Sequence, residues 1–138
     1  MQHPTKTIYE QLGGEAFERL IAAFYRGVAA DPILKPLYPE HDMPGAEHRL
    51  RLFLIQYFGG PHSYTQERGN PRLRARHMPF AIGAAERDAW LRNMFAALDT
   101  AQIPEPARTQ MRDYFQMAAD FMINVDAPDG GSVRGLRP

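Results

Sequence analysis

Apolar residues return every three or four positions along most of the chain, and glycines and prolines interrupt that period at readable points. Phe17, Leu20, Ile21, Phe24 and Val28 predict a helix over 16–30. Leu50, Phe53, Leu54, Tyr57 and Phe58 predict a second over 45–58, opened by Pro44-Gly45 and stopped by Gly59-Gly60-Pro61. A third, over 84–101, starts at Gly83 with Glu86 three residues on and turns Trp90, Leu91, Met94, Phe95 and Leu98 inward. The fourth follows Pro104 and Pro106 over 105–125, with a stripe of Met111, Tyr114, Phe115, Ala118, Phe121, Met122 and Val125.

Three short elements fit between these. Thr7-Ile8-Tyr9-Glu10 has the spacing of a capping box, and Gly13-Gly14 ends that turn. Asp31-Pro32 pairs a capping residue with a proline at the first helical position, and Asn70-Pro71 repeats the signature. The helix after Asn70-Pro71 ends near His77, because Pro79 blocks its continuation. Residues 61–70 are polar without a period and read as a loop. No strand is predicted, and Ile123-Asn124-Val125 reads as a helix end. The Gly/Pro/Arg-rich stretch 127–138 lacks apolar anchors, so a single domain over 1–126 with a fraying tail is expected.

The simplest architecture for four long helices is a bundle. The connection over 59–83 does not suit one. It is studded with proline and carries Tyr64, Phe80, His62, His77 and the arginines 68, 72, 74 and 76. So much chemistry between helices implies that something is gripped there.

Composition narrows what that is. The 138 residues are 44% apolar and 23% charged, an ordinary globular balance for one domain. Sixteen basic side chains cancel sixteen acidic ones, so no global field attracts nucleic acid or an anionic membrane. The chain has no Cys, which excludes disulfides, nucleophilic thiols, iron–sulfur clusters and zinc–thiolate sites. The absence of a long apolar run predicts neither a leader nor a membrane span, and a cytoplasmic protein is the expectation. Only Ser63 and Ser132 occur, neither in a nucleophile elbow, and the Gly-Gly pairs lack the remainder of a phosphate loop.

Among the histidines, His77 stands out, on the last turn of a short helix with Leu73 one turn behind and Pro79-Phe80 directing the chain away. It reads equally well as a helix-terminal cap or as a single axial ligand, since a porphyrin brings four ligands of its own. His41-Asp42 and Glu47-His48 match no zinc spacing, and His3 and His62 have no supporting context. Tyr25, Tyr38 and Trp90 are each readable as core, yet buried hydroxyl and indole groups need partners. Their convergence on a pocket would provide donors to a small ligand carrying negative charge. Arg49, Arg51, Arg68, Arg72, Arg74 and Arg76 suit cofactor carboxylates in one or two cases and solvent in the rest.

Taken together, the ordered residues resemble those of the group II (O-type) truncated haemoglobins, the two-over-two helical globins. The resemblance covers residues 8–125 and rests on Gly13-Gly14, Phe24-Tyr25, Tyr38-Pro39-Glu40, Gly45-Ala46-Glu47, Arg49-Leu50 and Gln56-Tyr57-Phe58-Gly59-Gly60-Pro61. It continues through Arg68-Gly69, Pro71-Arg72-Leu73-Arg74, Arg76-His77-Met78-Pro79-Phe80, Ile82 and Glu86-Arg87-Asp88-Ala89-Trp90-Leu91. It implies an all-α truncated-globin sandwich around haem b, with His77 as the proximal iron ligand. Tyr25, Tyr38 and Trp90 would be distal donors, Ala46 would stand where vertebrate globins carry a distal histidine, and Leu50 and Phe53 would line the distal side. Leu73 and Phe80 would contact the haem, and Arg49 or Arg76 would meet a propionate.

The activity so implied is reversible binding of O₂, CO or NO, whether for oxygen storage, transport or sensing. Three distal donors predict slow O₂ loss, since each bond to a charged acceptor contributes about 1.5–3 kcal/mol. NO dioxygenase or peroxidase chemistry would use the same residues together with an external reductase. A cofactor-free helical interaction module is the reading from a different class, disfavoured by the 59–83 segment. Zero net charge and no apparent exposed apolar patch predict a monomer or a weak homodimer.

Overall fold

Thr7 starts the first helix with the reciprocal bonds its spacing predicts. Glu10 N–H donates to Thr7 Oγ1 at 3.0 Å, and Thr7 N–H donates to Glu10 Oε1 at 2.8 Å. A computed structural model describes residues 6–125, and the expected tail lies outside the described residues, together with His3 and Ser132. Among the described residues seven α-helices follow one another: α1 (Ile8–Leu12), α2 (Gly14–Ala30), α3 (Met43–Tyr57), α4 (Ser63–Arg68), α5 (Leu73–His77), α6 (Ala84–Thr100) and α7 (Ala107–Met122). Among the described residues there is no strand, and no helix is long and apolar enough to cross a membrane.

The long helices form a two-over-two sandwich in which α2 packs on α3 and α6, and α6 packs on α7. Phe17, Leu20, Ile21, Phe24 and Val28 of α2 are fully buried at its centre, against Leu54, Met94, Leu98, Met111 and Phe115. Burying each such side chain contributes about 1.5–3 kcal/mol before chain entropy is subtracted. At Gly27 a Cβ would run into Asn93, so glycine permits the close approach of α2 to α6. Gly59, with φ 102°, serves at the end of α3. A side chain there would meet Thr7, where α1 docks through a Tyr9 N–H to Phe58 carbonyl bond of 2.9 Å.

The predicted helices differ from the observed ones mainly at their ends, where caps decide. Asp42 accepts from Gly45 N–H and starts α3 two residues early, and α7 stops at Met122 rather than 125 because Ile123 is extended. Asp31 does cap, accepting from the N–H groups of Ile33 and Leu34. The following turn, however, tightens into a single 3₁₀ turn over Lys35–Leu37 rather than an α-helix.

The 61–70 segment is not all loop, since α4 forms there once Tyr64 can bury against Phe53. Nor does Asn70 cap α5. The cap position falls on Arg72, which has φ 42°, and the loop carbonyls of Arg68, Asn70 and Pro71 are satisfied by the Arg76 guanidinium. Two side chains placed in apolar stripes face solvent instead, Tyr57 at 50% exposure and Phe121 at 60%. With Met117 at 59%, Phe121 gives α7 an exposed apolar face that the sequence reading does not anticipate.

Candidate functional site

The short helix α5 has no buried residue and is held by its neighbours rather than by its own core. Its last residue, His77, places Nδ1 2.6 Å from the Leu73 carbonyl oxygen. A carbonyl can only accept, so Nδ1 carries a proton, and in the neutral ring the lone pair is left on Nε2. The imidazole lines a cavity of about 320 Å³ bordered by α2, α3, α4, α5, α6 and α7. The residues that the resemblance assigns to the site border this one cavity: Tyr25, Tyr38, Ala46, Arg49, Leu50, Phe53, Leu73, Arg76, His77, Phe80 and Trp90. Of the other arginines offered for carboxylates, Arg68 lines it and Arg51, Arg72 and Arg74 do not.

Three polar aromatics approach the cavity from different elements. The Tyr25 and Tyr38 rings meet edge-on at 5.5 Å, and Trp90 meets Phe24 at 5.4 Å and Phe115 at 5.7 Å. Tyr25 O–H donates to the Ala46 carbonyl at 3.2 Å, which commits its proton to the α3 backbone. The Trp90 indole faces the Tyr38 hydroxyl as a donor and works to lower its pKa, but burial dominates and raises it. Burial also raises the pKa of Tyr25, with the neighbouring Tyr38 adding to the effect. Both phenols therefore stay protonated well above neutrality. Tyr25 has its donor already engaged, whereas Tyr38 has no protein acceptor among the described residues.

This arrangement recurs in known proteins. A family model described as bacterial-like globin matches residues 7–124. A group 2 truncated hemoglobin of Bacillus subtilis is 39% identical over 90% of this chain and 94% of its own length. The chain belongs to the group 2 truncated haemoglobins. A thermostable hemoglobin of the actinobacterium Thermobifida fusca superposes on this truncated haemoglobin with a TM-score of 0.84 at 54% identity, over 87% of this chain and 98% of that one. A structure described as a truncated oxygen-avid haemoglobin from Bacillus subtilis superposes with a TM-score of 0.83 at 39% identity, over 86% and 100% of the two chains.

The donor set of this truncated haemoglobin suits a metal that brings most of its own ligands. Among the described residues no three His, Asp or Glu side chains gather as a bare ion would require, yet one imidazole nitrogen is free. Leu50, Phe53, Leu73, Phe80, Ile82 and Met122 make the walls apolar, and Arg49, Arg68 and Arg76 add cations to the lining. Arg49 pairs with Asp42 at 3.5 Å, while Arg76 spends Nε and one terminal nitrogen on loop carbonyls. A flat apolar macrocycle with two carboxylates fits this lining.

Several site residues escape the sequence reading. Tyr64 lines the cavity from α4, a helix that the polar composition conceals, beside Arg68, one of the arginines already offered for carboxylates. Arg74 bonds the carbonyls of Phe121 and Ile123, and Asn124 bonds the segment around His77. No sequence signal marks this pairing, because the partners are 42 to 49 positions apart.

Proposed function

We propose that this truncated haemoglobin holds haem b through His77 Nε2 and binds O₂, or another diatomic ligand, in the same cavity. One observation carries the reading: an imidazole whose Nδ1 is locked to Leu73 shares an apolar cavity with Tyr25, Tyr38 and Trp90. The relatives named hemoglobins, one of them described as oxygen-avid, support it. Bound haem would supply an iron able to take up O₂, CO or NO.

His77 supplies electron density through the Leu73 bond, which raises the basicity of the ligating nitrogen and fixes the plane of the ring. Leu73 and Phe80 would contact the haem, and Arg49 or Arg76 would meet a propionate. On the distal side Ala46 offers little bulk, and Leu50 and Phe53 exclude water. Tyr38 O–H is the leading donor to a polar diatomic, Trp90 orients it or donates directly, and Tyr25 joins once it leaves the Ala46 carbonyl. Turnover of NO or peroxide at this site would draw electrons from an external reductase.

Absorption spectroscopy tests the reading. The purified protein reconstituted with haem should show a Soret band that shifts on reduction and again on addition of CO. Haem that elutes away with an unshifted, free-haem spectrum would leave a helical interaction module as the better account.

A further inference from the structure

The segment carrying His77 is tied to the rest of the molecule by one carboxamide. Asn124, just past the end of α7, takes Ile82 N–H on Oδ1 at 2.9 Å. Its Nδ2 donates to the Phe80 carbonyl at 2.8 Å and to the carbonyl of His77 itself at 3.3 Å. The Asn124 backbone N–H closes the set on the Ile82 carbonyl at 2.8 Å. A short side chain with one acceptor and two donors is required here, and only asparagine offers that on so short a stem.

The clamp matters because α5 cannot hold its own position. Five residues are too few to be helical without tertiary support, and none of the five is buried. The path leaving α5 passes Pro79, which has no N–H to contribute. A second tie comes from the other direction, where the Arg74 guanidinium bonds the Phe121 and Ile123 carbonyls, both at 3.1 Å. The two ties bracket His77 and seat it on the end of α7.

We infer that Asn124 is a positioning residue for the proximal histidine, setting the height and tilt of the His77 imidazole beneath the haem from outside the cavity. The inference rests on the haem reading given above. The Leu73 bond fixes rotation of the ring, whereas Asn124 fixes the backbone on which the ring stands.

Resonance Raman of the ferrous, ligand-free protein tests this, because the iron–histidine stretch responds to imidazole tilt and strain. Asn124→Ala should shift or broaden that band and speed haem transfer to an acceptor apoglobin by roughly ten- to a hundredfold. Asn124→Asp keeps the acceptor for Ile82 but loses both donors, so it should reproduce the band change. Hydrogen exchange on the haem-free proteins gives a reading without cofactor: the Phe80 and Ile82 amides should lose protection in Asn124→Ala.

Gln56→Ala serves as the control, since it deletes a comparable pair of bonds to Thr65 between α3 and α4. It should lower the melting temperature and leave the band in place. A wild-type band in Asn124→Ala, or an equal shift in Gln56→Ala, would overturn the inference. Should Asn124→Ala fail to retain haem, Asn124→Asp and the exchange data decide the matter. Absence of the stretch from the wild-type protein would instead refute His77 ligation.

Discussion

Among the described residues His77 is the one histidine that lines the cavity, and its ring is oriented by a single short bond. Replacing it with Ala should abolish the iron–histidine stretch and sharply weaken haem retention, while His41, His48 and His62 should each be dispensable. A His77→Ala protein that keeps the stretch without added imidazole would show the ligand to be another residue. Elsewhere on the lining the prediction concerns donors. The Trp90 indole can only donate, and the Tyr38 hydroxyl toward which it points can do both. Trp90→Phe should therefore accelerate O₂ release, and combining it with Tyr38→Phe should give a ΔΔG that departs from the sum, since the donors share one acceptor. CO release should respond less, because bound CO carries less negative charge. Stopped-flow release rates for the wild type, both single variants and the double variant measure this. If Trp90 only fills space, its replacement lowers stability and leaves the O₂ rate where it was.

At the scale of elements, the end of α2 is fastened to α6 through Asp31. Its carboxylate accepts from Ile33 and Leu34 N–H, from Asn93 Nδ2 at 2.8 Å and from Arg92 at 3.4 Å. Burial opposes the charge, but the bonds from Asn93 and the two backbone groups, aided by Arg92, prevail and hold the carboxyl below its ordinary value of 3.8. A depressed folded-state pKa contributes stability that is present above 3.8 and lost as pH falls through the lower folded value. Asp31→Asn should thus lower the melting temperature at neutral pH and flatten its decline under acid, as thermal scans on either side of pH 3.8 would reveal. Gly27→Ala tests the same junction. Alanine gains about 1 kcal/mol of helix preference over glycine. Its methyl nevertheless displaces Asn93, whose bond to a charged, buried partner contributes about 1.5–3 kcal/mol. The net expectation is a loss of about 1 kcal/mol, read by denaturant titration. A stabilised Gly27→Ala protein would show that Asn93 moves freely.

For the whole molecule, the cavity is bordered by every helix from α2 to α7. Haem should therefore stabilise the fold by linkage: a ligand at a thousand times its dissociation constant contributes about 4 kcal/mol. The haem-free protein should melt at a lower temperature than the reconstituted one, and α4 and α5, which border the cavity with little core of their own, should lose amide protection first. An apoprotein as stable as the holoprotein would contradict this. The exposed Met117 and Phe121 on α7 leave room for weak self-association. Sedimentation across a concentration series should show a monomer, or a homodimer that dissociates on dilution. A dimer independent of concentration would contradict that expectation.

The four long helices, the capping box at Thr7 and the stop at Gly59-Gly60-Pro61 were legible in the chain, because helical period, caps and glycine are local properties with strong local energetics. Part of the cavity lining, including His77, Tyr25, Tyr38 and Trp90, was legible too, through ordered motifs that resemble those of one family. Tertiary contacts alone decided the rest. Helix α4 forms because Tyr64 finds Phe53 across the fold. The start of α5 shifts to Arg72 because Arg76 satisfies the loop carbonyls. Phe121 and Tyr57 carry the right period yet face solvent, since no element covers that side of them among the described residues. The Tyr25 proton goes to the Ala46 carbonyl, and Asn124 reaches His77 across 47 positions of sequence. Hydrogen bonds between distant segments depend on where the backbone closes, and periodicity holds no record of that closure.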